Sequence, residues 1–163
     1  MNPRHRARRL ALQCLCCLDA QGPEARELLV AFIDDSRESP EALAGARRLM
    51  DEAHADWAAC DEILARHARH WELPRLALVD RNILRLAAHE LRYGKAPPKV
   101  VITEAIRLAR EFSTADSPRF INGVLDAVAR EVRRRAEEMG GGDAGDARHA
   151  KRGEEEDGSQ GER

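Results

Sequence analysis

The most concentrated chemical signal in this 163-residue sequence is a group of cationic side chains within its first nine residues. Its members are Arg4, His5, Arg6, Arg8 and Arg9, and no acidic residue precedes them. Cations at the start of a helix oppose the helix dipole, so we interpret this placement as serving an external anion. Arginine binds phosphate independently of base sequence. The cluster therefore predicts contact with RNA or DNA, and the alternative is a solvated basic terminus.

Cysteines and histidines could hold a metal ion, but each group lacks part of a site. A structural zinc site needs four ligands, and Cys60 is the only cysteine outside the cluster Cys14, Cys16 and Cys17. Free thiols are the simpler interpretation. His67 and His70 have the spacing to share one helical face, but no carboxylate–histidine pattern of a zinc hydrolase accompanies them.

Other catalytic motifs are incomplete or missing. His89-Glu90 begins an H-E-x-x-H motif that ends in Tyr93 instead of histidine. The sequence contains no phosphate-binding P-loop, no dinucleotide-binding glycine motif and no nucleophile elbow. We therefore predict a protein with no metal, no cofactor and no enzymatic activity.

The composition favours an all-α protein. Aromatic residues make up 4% of the chain, and alanine and leucine, which are good helix formers, are abundant. No apolar run approaches the ~20 residues that span a bilayer, and no secretory signal is predicted. Four cysteines, three of them clustered, do not predict a disulfide scaffold. These features predict a cytoplasmic protein that does not enter a membrane.

Prolines mark the starts of most predicted helices, because proline in the first turn removes no helical hydrogen bond. We expect the third helix to bend or break near Gly45 or His54. The predicted helices cover approximately residues 3–20, 23–34, 40–70, 74–93, 99–113 and 117–139.

The net charge of −2 conceals an uneven distribution. Residues 140–163 hold seven of the eleven glycines and a net charge of −3, and they contain no apolar residue larger than alanine. Such a segment cannot repay the entropy lost on ordering. We therefore predict a helical domain over residues 1–139, with a net charge of +1, followed by a disordered acidic tail over residues 140–163.

The start of the last predicted helix combines unusual residue types. Arg119 and Phe120 follow a capped turn at Asp116, so a guanidinium and an aromatic ring could be offered to an unstacked base. Asn122 and Gly123 each weaken a helix. We interpret them as a close helix–helix crossing at Gly123, with Asn122 hydrogen-bonded to a neighbouring backbone.

Three ordered blocks resemble the NusB family of bacterial transcription antitermination factors. They are DRNILRLAAHEL (80–91), PKVVITEAIRLA (98–109) and ADSPRFINGVLD (115–126). The similarity extends from residue 4 to about residue 135. It implies a fold of two packed three-helix-type bundles. It also implies binding of single-stranded boxA RNA in ribosomal RNA transcripts, jointly with the ribosomal protein that acts as NusE, and indirect contact with other Nus factors and RNA polymerase.

The resemblance also implies roles for individual residues. It places Asp80 and Glu90 on the helix that faces NusE. Together with the basic cluster, it gives the predicted RNA-binding set: Arg4, Arg6, Arg8, Arg9, Asp116, Arg119 and Phe120.

Two departures from the family pattern affect these expectations. Cys16 and Leu18 stand where many family members have aromatic residues on the first helix. Their loss removes base stacking worth roughly 1–3 kcal/mol per base. RNA affinity is therefore expected to depend more on the arginines. Thr103 replaces a common asparagine.

The acidic run at 154–157 lies in the tail and would compete with RNA for the basic helix.

Two alternatives remain open at the level of sequence. A NusB-like domain also forms the N-terminal part of a ribosomal RNA cytosine methyltransferase, which needs a further cofactor-binding domain. The other alternative is a helical scaffold, or homodimer, that binds protein alone and shows no salt-dependent RNA binding.

Overall fold

The computed structural model describes residues 2–68 and 72–146, with side chains as far as residue 141, and seven α-helices account for most of these residues. The helices are α1 (Pro3–Gln21), α2 (Arg26–Asp35), α3 (Pro40–Ala55), α4 (Trp57–His67), α5 (Leu78–Tyr93), α6 (Pro98–Phe112) and α7 (Ser117–Asp146). Short 3-10 turns precede α2 and α5. No strand occurs in the described ranges, and the predicted all-α fold is confirmed. Within those ranges, no helix has both the length and the apolar character needed to cross a membrane.

The predicted helix starts are confirmed where a cap and a proline coincide. The Asn2 side chain accepts a hydrogen bond from the backbone N–H of Arg4 at 2.9 Å, and Pro3 follows it. Ser39 caps α3 in the same way, accepting from the Ala42 N–H at 3.2 Å. Such caps satisfy backbone donors that the first helical turn leaves unpaired.

The third predicted helix, residues 40–70, is divided at Asp56 into α3 and α4. The Asp56 carboxylate accepts hydrogen bonds from Arg92 at 2.7 Å and lies 3.1 Å from Nδ1 of His89, both on α5. A tertiary contact with α5 therefore holds the break, which falls near His54 and not near Gly45. His70 lies outside the described residues.

Close approach of helices occurs at Gly45 instead of Gly123. A Cβ atom at Gly45, in α3, would lie 3.0 Å from the Cβ of Ala7 in α1. A Cβ atom at Gly123, in α7, would meet no heavy atom within 4 Å. The predicted crossing at Gly123 is therefore wrong, and the small residue that permits a crossing is Gly45.

The helices pack in two groups that meet along α1 and α5. α1, α2 and α3 contact one another, and α5 contacts α4, α6 and α1. At the C-terminal end of α1, the Asp19 carboxylate accepts hydrogen bonds from Arg81 at 2.8 Å, Asn82 at 2.9 Å and Arg85 at 3.0 Å. Arg85 also stacks on the ring of Trp57, 4.1 Å from its centroid. This arrangement agrees with the expected three-helix-type bundles.

The chain divides into two compact units, Met1–Ala129 and Arg130–Arg163. In the second unit α7 continues to Asp146, so the prediction that glycines 140–142 end it at about Met139 is wrong. Once a helix is nucleated, each further residue adds a backbone hydrogen bond, which allows extension through poor helix formers. Residues 147–163, including the acidic run at 154–157, lie outside the described residues, and the disordered tail stays a prediction.

Candidate nucleic-acid interface

The arginines at the start of α1 are largely neutralised by carboxylates of the same chain. Arg6 lies 2.5 Å from Glu38, and Arg9 lies 2.5 Å from Glu111. Both pairs are partly exposed, and Nε of each arginine is buried without a hydrogen-bond partner. Of the cluster, Arg4 is exposed, and its guanidinium has no partner among the described residues.

Arg8 lies inside the protein, between α1 and α5. Its Nε and one terminal nitrogen donate to both carboxylate oxygens of Glu90, over 2.9–3.2 Å. Arg8 is 6% exposed and Glu90 is 8% exposed. Direct RNA contact by Arg8 and direct NusE contact by Glu90 do not fit these positions. The pair instead joins the two helices that connect the bundles.

His5 is also buried against acidic side chains. Its Nδ1 lies 2.5 Å from a carboxylate oxygen of Glu104, and its Nε2 lies 3.8 Å from Glu111. Burial by itself would raise the pKa of Glu104, but hydrogen bonds from His5 and Arg107 outweigh burial and lower it. The basic end of α1 is thus attached to α6 by its own charges.

Asp80 fixes the turn between α6 and α7. Its two carboxylate oxygens accept hydrogen bonds from Ser113 at 2.6 Å and from Ser117 at 2.9 Å. Ser117 is 4% exposed and begins α7. The resemblance assigned Asp80 to the NusE-facing side, whereas the structure engages this carboxylate in positioning the start of α7.

The three predicted residues at the start of α7 lie together at this turn. Asp116 and Arg119 are exposed, and Phe120 is half-buried. The Arg119 guanidinium has no ion-pair or hydrogen-bond partner among the described residues. An exposed guanidinium without a carboxylate partner is free to bind phosphate, and the next residue in the sequence supplies an aromatic ring.

A cleft of about 640 Å³ opens between α6 and α7 beside this turn. We call it the α6–α7 cleft. It is lined by Ile106, Arg110, Ser113, Thr114, Ala115, Pro118, Arg119 and Asn122. Sequence reasoning missed Arg110, although Ile106 and Arg110 are four residues apart and so share a face of α6.

Positive charge without a carboxylate partner is confined to a minority of the basic side chains in the described part of the first unit. Most basic side chains in the described part of the first unit pair with a carboxylate. Those without a partner there are Arg4, Arg37, Lys95, Lys99, Arg110 and Arg119. Two of them line the α6–α7 cleft, so free cations gather at this cleft more than at the predicted cluster.

Gly123 lies one helical turn beyond Arg119, on an exposed part of α7. Glycine in a helix costs about 1 kcal/mol relative to alanine. Packing among the described residues does not explain this cost, because none of their heavy atoms would lie within 4 Å of a Cβ atom at Gly123. The predicted hydrogen bond from Asn122 to a neighbouring backbone is also not observed.

The four cysteines are reduced, and two of them, Cys14 and Cys60, are buried. Burial raises the pKa of Cys14 and of Cys60 to about 12, and it raises that of Cys16 to about 11. A thiol is a metal ligand only as the thiolate. Within the described ranges, no group of three or more His, Cys, Asp or Glu side chains is arranged to hold a metal ion.

Alkylation kinetics test this description of the thiols. With iodoacetamide at pH 8, we expect Cys14 and Cys60 of the native protein to stay unmodified while the unfolded protein reacts at all four cysteines, because the native thiols are buried and protonated. Peptide mass spectrometry after a time course measures each site. Rapid native modification of Cys14 would contradict the buried environment.

Comparisons with known proteins show which proteins have a similar sequence and a similar fold. A sequence model of the NusB family matches residues 5–130. The chain is 43% identical over 134 residues to transcription antitermination protein NusB of Solibacter usitatus, covering 81% of this chain and 92% of that protein. T. maritima NusB superposes with a TM-score of 0.74 at 35% identity, covering 80% of this chain and 93% of the other.

A second solved structure adds information on partners of a similar protein. It is a crystal structure of the antitermination factors NusB and NusE in complex with dsRNA. The matching chain has a TM-score of 0.72 and 28% identity, and the match covers 80% of this chain and 98% of that one. In that complex the similar fold is found with a protein and an RNA together.

Proposed function

The chain belongs to the NusB family, and from this membership we propose that it is a transcription antitermination factor that binds boxA-type single-stranded RNA together with NusE. The bound pair then contacts other Nus factors and RNA polymerase in the cytoplasm. The protein performs no catalysis in this role and acts by assembly. The observation that carries the proposal is the uncompensated Arg119 beside Phe120 at the start of α7.

RNA contact is assigned to Arg4, Asp116, Arg119 and Phe120. The two guanidiniums bind phosphate, the ring of Phe120 stacks on a base, and the Asp116 carboxylate accepts from a ribose hydroxyl or a base amino group. Arg6 and Arg9 are weaker contributors, because each must exchange a carboxylate partner for phosphate.

NusE binding is supported by the similar NusB–NusE structure. Asp80 and Glu90 are not assigned to it, because both carboxylates are engaged within the chain. The methyltransferase alternative is disfavoured, because the matched curated relatives are antitermination proteins covered over most of their length. The homodimer that binds protein alone predicts no RNA affinity, which the following experiment measures.

Replacing Arg119 with alanine is expected to weaken RNA binding about tenfold. A charge-assisted hydrogen bond contributes about 1.5–3 kcal/mol, and exposure of Arg119 means that little stability is lost with it. Fluorescence anisotropy of labelled boxA-type RNA, with and without NusE and across a salt series, measures the effect. The slope of log K against log salt is negative, and its magnitude should decrease by about 0.7 for each lost phosphate contact.

Arg37→Ala is the matched control, since Arg37 is also exposed and without a partner in the described residues. It should leave affinity and salt slope unchanged. The proposed function is wrong if the unaltered protein binds this RNA neither alone nor with NusE.

A further inference from the structure

We propose that the α6–α7 cleft holds one nucleotide of the bound RNA, with Arg110 and Arg119 on its phosphate and Asn122 on the edge of its base. This inference rests on the proposed function, and it assigns a subsite and three residues that RNA binding by Arg119 and Phe120 does not require. The cleft is open to solvent, and its volume of about 640 Å³ lies within the roughly 300–1,000 Å³ found for small-molecule sites.

The phosphate end of the subsite is defined by charge. Arg110 projects from α6 and Arg119 from α7, and both line the same cleft. Neither guanidinium has an ion-pair or hydrogen-bond partner among the described residues, unlike Arg6, Arg8 and Arg9. Two guanidiniums facing one cavity repel each other unless an anion lies between them, and phosphate matches their donor geometry.

The base end of the subsite is defined by the remaining lining groups. The hydroxyls of Ser113 and Thr114 are already engaged, the first with Asp80 and the second with Ser117 at 2.9 Å. The Asn122 amide has no described partner, so its donor and acceptor are available to a ligand. Ile106 and Pro118 supply an apolar surface for a base. The amide can hydrogen-bond to the edge of a base while the apolar surface packs against the face of the same base.

Gly123 gives the direction in which the RNA strand leaves the cleft. It follows Asn122 directly, and the space that its missing side chain leaves open is unoccupied within 4 Å. A glycine with no close neighbour among the described residues permits close approach by an external backbone. The strand therefore passes over Gly123 as it leaves the subsite.

Three variants of the full-length protein test the subsite in the presence of NusE and boxA-type RNA. Arg110→Ala should weaken binding about tenfold and decrease the magnitude of the salt slope by about 0.7. Asn122→Ala should weaken binding at least threefold with an unchanged salt slope, because it removes a base contact and no charge. It should also alter the ranking of RNAs that carry single-base changes.

Gly123→Leu separates binding from stability. Leucine is a far better helix former than glycine and has open space at this position, so the melting temperature should rise by about 2–4 °C. The same side chain should obstruct the strand and weaken RNA binding about tenfold. A structural role for Gly123 would give the opposite change in melting temperature.

Lys95→Ala is the matched control for charge. Lys95 is exposed and without a described partner, and it precedes α6, whereas Arg110 lies near the other end of that helix. The length of α6 separates the two by roughly 18 Å. Unchanged affinity and salt slope are expected.

The outcomes distinguish the subsite from the proposed function. If the unaltered protein binds RNA and Arg110→Ala and Asn122→Ala bind it equally well, the subsite is refuted and the proposed function stands. If Arg110→Ala and Lys95→Ala lose affinity equally, the effect is general charge, and the subsite is again refuted. Failure of the unaltered protein to bind RNA with NusE overturns both.

Discussion

Replacing Arg8 with alanine is expected to lower the free energy of unfolding by about 3–5 kcal/mol, which leaves Glu90 as a buried carboxylate without its partner. This is a large share of the 5–15 kcal/mol typical of a whole domain. Chemical denaturation with urea, followed by circular dichroism, measures the change. The melting temperature should fall by roughly 10 °C or more.

Two controls connect this loss to burial of the charge. Arg26→Ala breaks a pair with the same two-pronged geometry, formed with Asp51, but about half of each side chain is exposed. It should therefore cost far less stability than Arg8→Ala, because exposed ion pairs contribute little. Combining Arg8→Met with Glu90→Leu should recover most of the stability, because apolar groups replace both buried charges. Equal losses from Arg8→Ala and Arg26→Ala would contradict the buried pair.

The second large effect is expected at Asp19. Asp19→Asn should cost about 2–3 kcal/mol, because the carboxylate receives hydrogen bonds from Arg81, Asn82 and Arg85 while being 16% exposed. Asn82 is fully buried, so its amide would lose a charged acceptor with no water to replace it. Asp51→Asn, at an exposed pair, is the matched control and should change stability by less than about 1 kcal/mol.

The same site sets a pH dependence with a definite sign. Burial alone would raise the pKa of Asp19, but hydrogen bonds from Asn82 and Arg81 and the charge of Arg85 outweigh burial and lower it. A carboxyl whose pKa is lower in the folded state stabilises the fold above its unfolded pKa, and this contribution is lost as the pH falls through the folded value. Asp19→Asn should therefore flatten the stability loss below about pH 4. If the free energy of unfolding of Asp19→Asn falls with decreasing pH as steeply as that of the unaltered protein, this assignment is wrong.

The starts of α1 and α3 could be predicted because their causes are local. Asn2-Pro3 and Ser39-Pro40 carry both the cap and the first helical residue, and each cap forms the expected hydrogen bond. The break at Asp56 is different, since it is held by Arg92 on another helix. Of the two positions predicted for this break, His54 lies within two residues of Asp56 and Gly45 does not. The sequence could not show that Arg92 is the residue that holds the break.

Some residues of the predicted RNA-binding set are exposed and others are buried, and the contacts that decide this come from other helices. Arg8 and Arg4 are equivalent in the sequence, one turn apart on the same helix. Only the packing of α5 on α1 buries the first and leaves the second exposed. The role expected of Gly123 belongs to Gly45 for the same reason, because the need for a small residue depends on which helices cross. Arg110 was missed because its significance comes from facing Arg119 across the α6–α7 cleft.

The pairing of the α1 cations with distant acids also has a consequence during synthesis on the ribosome. Arg8 and Glu90 are 82 residues apart, and His5 and Glu104 are 99 residues apart. At the usual rate of about 5–20 residues per second, α1 emerges roughly 5–20 s before its acidic partners are made. During that interval Glu38, the partner of Arg6, is already made, but the partners of His5, Arg8 and Arg9 on α5 and α6 are not. The late C-terminal helices therefore complete the charge balance of the first one, and the order of translation makes the docking of α5 and α6 on α1 later than the packing of α1 on α3.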